Sequence, residues 1–518
     1  MKNQILGYLG SKVFSKEYRS VLEAQRSPLK AQDEAFARLR SASQSTVVSF
    51  KGGLETEGLV RADWIRRSRL SDYESIETLV KECLQGQRGG LFRGAPAFVG
   101  LSSGTTGHNS KLIPYSDDSM AIFKRFQRKV AAIVHRESDL NLLSDGRVTW
   151  GTNPELYLDE AGISHGYVSG YLSIKSPGIL RRTNYPSRET MLINDMELKI
   201  EEALAELVNV NHIRVISGVP SYLIQLLEAL CSALGSIDLA THWPQMDTVV
   251  YSGTTIAPYR ERIEKLLGKK IRFVGIYVST ECPFGFEIPE LNGERSGVYS
   301  LNFEDVVFSF RDLEAPDDKL LALEDLRVGQ EVEILVSMPN GLINYRTGDC
   351  VKVVSTEPYL FELCGRIGQA LNVSTEKVSQ AQIARSVERV NSEIGGAITH
   401  YFVAPDPEAG AKPAYHWTLF VDPHSAFYTR GSLLAEWLDA SLMKENSDYE
   451  ESRITNKFLG APAVDVQSSE WIRNYFQRKS GKGQLKMKTT FETLEQMNTF
   501  LNEVRREAPA LSEKAVAL

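Results

Sequence analysis

The stretch HIRVISGVPSYLIQLLEALCSALGSIDLATHWPQMDTVVYSG, residues 212–253, decides the fold class. HIRVISG (212–218) and DTVVYSG (247–253) are short runs rich in Val and Ile that end in Ser-Gly, the pattern of buried strands closed by turns. Between them, PSYLIQLLEALCSALG (220–235) starts with Pro and Ser and ends in Gly, which frames a helix at both ends. Strands alternating with helices in this order predict an α/β architecture.

Working outward, the same strand signature recurs at 271–279, 332–338 and 350–355. Upstream, residues 17–42 carry apolar side chains at helical spacing and read as one helix. Residues 72–85 read as a second, capped by Ser71 or Asp72. The character changes near Cys364–Arg366. A helical stretch, two strands (ITHYFVAP and AYHWTLFVD) and a helical tail follow. The expected organisation is a large domain over 1–363, with several β-sheets and flanking helices, and a smaller α+β domain over 364–518.

Composition excludes several classes. The 518 residues are 42% hydrophobic and 24% charged with a net charge of −7, which fits a folded α/β protein and lacks the basic footprint of a nucleic-acid binder. Five scattered cysteines without a CxxC pair argue against a disulfide framework or structural zinc. No leader-like or membrane-spanning apolar run is visible, so the expectation is a cytoplasmic protein with small-molecule partners and no membrane or nucleic-acid role.

Four constellations can carry chemistry. LSSGTTGHNSKLIPYS (101–116) contains an unbroken Ser/Gly/Thr run, Ser102 to Gly107, followed by Lys111. Glycines let backbone N–H groups approach an anion, hydroxyls donate further hydrogen bonds, and a lysine adds charge, which together suit a polyphosphate. The run lacks the GK[ST] of a Walker loop, and a polar turn is the alternative. GIYVSTECPFG (275–285) delivers Tyr277, Ser279, Thr280 and Glu281 to the end of a strand, where open α/β sheets bind ligands; a solvated turn is the alternative. GLINYRTGDCVKV (341–353) places Asp349 in a Gly-Asp turn, suited to ribose hydroxyls or to an ordinary hairpin, with Arg346 as a possible structural ion-pair former. RKSGKGQLKMKTT (478–490) is a glycine- and lysine-rich loop that is either solvated or able to reach a transferring group.

In this order along the chain, the four resemble the motifs of the adenylate-forming superfamily. They are similar in particular to the acyl acid amido synthetases, which include plant enzymes conjugating auxin or jasmonate to amino acids and bacterial relatives. DYESI (72–76), SSGTTG with KLIP (102–107, 111–114), SGVPSYLIQLLE (217–228), WPQMDTVVYSGTTIAPYR (243–260), YVSTE (277–281), NYRTGD (344–349) and GRIGQALNVSTEKV (365–378) carry the resemblance over essentially the whole chain.

The resemblance implies an ATP- and Mg²⁺-dependent ligase that makes an acyl-adenylate and passes the acyl group to an amino acid. Ser102, Ser103, Gly104, Thr105, Thr106 and Gly107 would cradle the phosphates, with Lys111 neutralising charge. Tyr277 would meet the adenine, Thr280 the α-phosphate, Asp349 and Arg366 the ribose, and Glu281 the metal. Lys486 of GQLK would be the mobile lysine, with Lys482 of SGK as competitor and Gly365 as hinge. Two departures stand out: Thr280 replaces the usual serine, and Lys488-Thr489 replace a Pro-Arg pair. His108 is not assigned as a base. The acyl pocket is expected within 120–340, with Tyr157, Tyr167, Tyr171 and Tyr222 as candidates for its lining or for ordinary core and surface positions. The competing readings are a coenzyme A or carrier-protein thioester ligase and a non-catalytic nucleotide-binding homologue.

Overall fold

The computed structural model describes residues 2–102, 111–475 and 489–507, apart from 139, 142–143, 152–155, 176–181, 194, 254–255, 257–258, 294, 314, 316–318, 368–370, 374–375, 377, 379, 411, 456 and 473–474. The chain divides into two compact units, the first ending at Ile367 and the second beginning at Gly368. Each is described by itself.

In chain order the strands of the first unit are β1 (Phe98–Ser102), β2 (Lys111–Tyr115), β3 (Gly146–Trp150), β4 (Tyr157–Leu158), β5 (Ser164–Gly166), β6 (Asn184–Tyr185), β7 (Ile213–Gly218), β8 (Thr248–Tyr251), β9 (Arg272–Val278), β10 (Pro283–Phe286), β11 (Val298–Leu301), β12 (Val307–Asp312), β13 (Leu320–Leu321), β14 (Glu331–Ser337), β15 (Tyr345–Thr356) and β16 (Tyr359–Arg366). Four of them form a small sheet in the order β2-β1-β5-β4. The other twelve form one sheet, ordered β13-β12-β14-β15-β16-β11-β10-β9-β8-β7-β3-β6. One half of the large sheet is parallel (β6, β3, β7, β8, β9) and the rest, from β10 to β13, is antiparallel.

The parallel half follows from the 212–253 stretch. TVVY of β8 is buried at every position, as a strand covered on both faces must be. The intervening helix runs Pro220–Leu234 with Pro at its first turn. Gly235 closes it in the left-handed conformation (φ +61°), where a side chain would be strained. Tertiary anchoring is polar as well as apolar: the indole of Trp243 donates to the Val210 carbonyl at 2.8 Å.

The long helix Asp117–Ser138 leaves β2 directly. The Ser116 hydroxyl accepts from the Ser119 N–H at 3.1 Å, and Asp117 and Asp118 favour the positive end of the helix dipole. Its buried Lys129 is compensated by Asp305 and Glu304, each at 2.7 Å, and by Asn302 at 2.9 Å. A buried ammonium without such partners would be costly, so this cluster sets the seat of the helix against residues 302–305.

Two local expectations are corrected. Residues 17–42 form two helices, Lys2–Arg26 and Pro28–Ser43, because Pro28 lacks an N–H and begins the second helix in its first turn. Asp349 sits inside the long strand β15 instead of in a hairpin turn. Glu333 pairs with Cys350 and Leu335 with Arg346, so Ile334 alone faces Thr347, Gly348 and Asp349. This is a bulge. Gly348 supplies its positive φ (+77°), and the Thr347 hydroxyl donates to the Ile334 carbonyl at 3.0 Å.

The second unit is α+β. β17 (Ile398–Asp406) pairs antiparallel with β18 (Ala414–Val421), and β18 runs parallel to β19 (Ala463–Ser468). Alternation splits β17 between two cores. Val403 packs with residues of the helices Gln380–Glu393 and Gly431–Glu445, whereas Phe402 and Ala404 pack with Met497, Leu501 and Val504 of the helix Leu494–Glu507. β19 goes beyond the expected two strands: AVDVQS is short and half polar, and only pairing to β18 reveals it.

Candidate active site

The site is built where the small sheet meets the end of β9, all within the first unit. β1 and β2 pair antiparallel, and their last pair is Ser102 with Lys111, the two described residues that flank the 103–110 segment. Ser102 is buried at the end of β1. Ser103, Gly104, Thr105, Thr106, Gly107 and His108 lie outside the described residues.

β9 brings its own cluster to this hairpin. The Thr280 hydroxyl donates to the Leu101 carbonyl at 3.1 Å, and the buried Tyr115 hydroxyl donates to the Thr280 carbonyl. Burial, with Glu281 nearby, pushes the Tyr115 phenol well above its ordinary range, so it remains a donor. Gly100 makes the approach possible. A Cβ there would sit 2.6 Å from the Tyr115 ring and 2.9 Å from the Thr280 methyl. Thr280 is thereby locked beside the start of the candidate phosphate loop.

Two carboxylates converge on the same strand end. The Tyr277 hydroxyl donates to Asp349 at 2.7 Å, and its ring stacks on Phe284 (centroids 4.1 Å apart, planes 7° apart). Ser279 donates to Glu281 at 2.7 Å. Asp349 and Glu281 are 7% and 9% exposed, and both push up the pKa of the fully buried Cys282 thiol, whose main cause is desolvation. Among the described residues no cationic side chain pairs with Glu281, and a buried carboxylate met only by a hydroxyl is a donor that suits a Mg²⁺ ion. The remaining hydroxyl and carboxylate chemistry of Tyr277 and Asp349 suits a polyol such as ribose.

The other expected residues are placed as follows. Lys111 opens β2, half-buried, with its ammonium 5.5 Å above the Tyr73 ring. Arg366 ends β16 with its backbone opposite Asp349; its side chain lies outside the described residues. Lys482 and Lys486 also lie outside them. Arg346 is an ion-pair former. It meets Glu333 at 2.9 and 3.1 Å, and Arg311 meets the same buried carboxylate at 2.7 Å. Of the tyrosines considered for an acyl pocket, Tyr222 is buried, Tyr171 stacks on Phe98 at 4.2 Å and Tyr157 is exposed. Sequence reasoning missed Tyr115 and Tyr73, whose contacts reach across 165 and 39 positions; only the DYESI match pointed at Tyr73.

A twelve-stranded mixed sheet, the β1–β2 hairpin and a strand end rich in hydroxyls and carboxylates make up one α/β fold. It is shared with the solved GH3.15 acyl acid amido synthetase (TM-score 0.56, 16% identity, 95% of this chain and 96% of that one). It is also shared with a 2-hydroxyisobutyryl-CoA ligase (TM-score 0.54, 13% identity, 93% of each chain). The GH3 family N-terminal domain matches residues 18–230 and the GH3 family central domain residues 297–366, together more than half of the chain. The chain belongs to the GH3 family. Among curated relatives, the Oryza sativa subsp. indica indole-3-acetic acid-amido synthetase GH3.8 is 26% identical over 261 residues, which are 47% of this chain and 43% of that protein. The chain spans about two fifths of the length of the curated relatives it matches. Cys83, Cys231, Cys282 and Cys350 are buried, and no described helix is long and apolar enough to cross a membrane.

Proposed function

We propose that this protein is an ATP-dependent ligase that activates a carboxylic acid as its adenylate and transfers the acyl group to the amine of an amino acid. One observation carries the reading: the Thr280 hydroxyl and the Glu281 carboxylate follow the end of β9 at the base of the 102–111 hairpin, and Asp349 of β15 is tied to the same strand through Tyr277. That is the donor and acceptor set that a nucleoside triphosphate asks for. Family membership supports it, and the names of relatives supply the acid-plus-amino-acid chemistry.

In this reading a carboxylate of the substrate attacks the α-phosphorus of ATP, forming a C–O–P anhydride and releasing pyrophosphate. Thr280 and the Ser102–Gly107 N–H groups hold the phosphate oxygens, Lys111 offsets their charge, and Asp349 with Arg366 orients the ribose. Tyr277 lies on the adenine side. Glu281 would hold Mg²⁺, which shields phosphate charge when bound. The amine then attacks the anhydride carbonyl, forming the amide and expelling AMP. Lys486, in the domain taken to begin near residue 364, is read as the mobile lysine, and Gly365 as the hinge. A cytoplasmic location belongs to the same proposal.

The test is pyrophosphate release from ATP over a panel of carboxylic acids, with and without Mg²⁺, each with mixed amino acids or with coenzyme A. An amide and AMP formed only when an amino acid is present is the expected result. A thioester would replace the reading with that of a coenzyme A ligase. ATP binding without release for any acid would point to a non-catalytic homologue.

A further inference from the structure

The DYESI segment (72–76) and the preceding Ser71 have no part in the chemistry above, yet together they touch two of the strands that carry it. Helix Tyr73–Leu84 starts at Asp72, whose carboxylate accepts from the Ser75 N–H at 2.9 Å while the Ser75 hydroxyl accepts from the Asp72 N–H at 3.1 Å. This reciprocal cap fixes where Tyr73 leaves the chain. The Tyr73 hydroxyl accepts from the Leu112 N–H at 3.2 Å and donates to the Leu112 carbonyl at 3.4 Å, as a neighbouring strand would. Its ring lies under the ammonium of Lys111, 5.5 Å from the centroid. Two residues earlier, Ser71 is stitched to the start of β15. Its N–H donates to Asn344 at 3.0 Å, its carbonyl accepts from Arg346 at 2.8 Å, and its hydroxyl donates to the Ile343 carbonyl at 2.5 Å.

We infer that Tyr73 is a positioning residue for Lys111, and that Ser71 and Tyr73 together form a strut that ties the strand leaving the phosphate hairpin to the strand bearing Asp349. A lysine on four rotatable bonds samples many positions. An aromatic face beneath it confines the ammonium through cation–π attraction without neutralising it, whereas a carboxylate partner would cancel the charge the phosphates need. The Tyr73 hydroxyl fixes the ring to the backbone of the residue next to Lys111, so ring and ammonium move as one unit. This inference rests on the reading of Lys111 as a phosphate-directed cation.

The test is acid-dependent ATP–pyrophosphate exchange by the full chain, which reports adenylation alone. Wild-type exchange establishes the reading; its absence with every acid would sink that reading before the strut is tested. Tyr73→Phe keeps the ring and loses the hydroxyl, Tyr73→Leu loses both, and Tyr73→Met serves if the leucine variant fails to fold. Exchange by the leucine or methionine variant is expected to be about tenfold slower than by the phenylalanine variant, in kcat and with the KM for the acid unchanged. In a Lys111→Met background the Phe-to-Leu difference is expected to vanish, because the ring then has no cation to hold. Equal rates for the Phe and Leu variants, or a Tyr73 effect that persists without the lysine, would reduce Tyr73 to packing and overturn the inference.

Discussion

Asp349 shows how much one side chain is asked to do at the residue scale. It is almost fully buried, accepts the Tyr277 hydroxyl, and shares its surroundings with Glu281 around Cys282. Asp349→Ala is expected to raise the KM for ATP at least tenfold, because a site built to hydrogen-bond a diol is left incomplete. Asp349→Asn, which keeps one acceptor oxygen, is expected to fall between. Steady-state kinetics for ATP at saturating acid checks both, and wild-type kinetics in the alanine variant would remove Asp349 from the ribose role. Glu333 is the contrasting case: a fully buried carboxylate held by Arg346 and Arg311, structural in effect, so that the arginine of NYRTGD is committed to an ion pair.

Among the elements, the bulge in β15 is the device that aims Asp349. Regular pairing with β14 would alternate side chains through this point, whereas three residues against one re-aim Asp349 while keeping the strand in the sheet. Gly348 makes it possible at φ +77°. A Cβ there would meet nothing within 4 Å, so the obstacle to a larger residue is conformational strain alone. Gly348→Ala is therefore expected to cost about 1–2 kcal/mol in chemical denaturation. It should also raise the KM for ATP by less than Asp349→Ala does. An unchanged denaturation midpoint would show that the left-handed conformation is not required. The hairpin β1–β2 is the second aiming element. Its final pair, Ser102 with Lys111, sets the span of the phosphate segment, while Tyr115, four residues on, reaches back to the Thr280 carbonyl.

Across the whole molecule, the large first unit carries every described member of the site, and the second unit carries the late basic loop. That loop contains two lysines in competing motifs, GQLK and SGK. Lys486→Ala is expected to slow acyl-adenylate formation at least tenfold more than Lys482→Ala, measured as pyrophosphate release with the acid that the panel identifies. The reverse order would transfer the role to Lys482.

The strand-helix-strand alternation at 212–253, the strand segments and the helix caps were legible because they depend on neighbours a few positions apart: Pro220 and Gly235 end their helix through local backbone geometry. The order of the four motifs, and with it the family, was legible for the same reason. The sequence by itself thus determined most of the elements, the fold class and the family. Tertiary structure alone decided how these groups meet. Tyr277 reaches Asp349 across 72 positions, Thr280 reaches Leu101 across 179, and Tyr115 reaches Thr280 across 165. The β15 bulge looked like a turn because Gly-Asp suits both, and only the register with β14 separates them. The physical reason is common to all of these: local propensity fixes a segment's conformation, whereas its partners are chosen by burial and hydrogen-bond satisfaction across the whole chain.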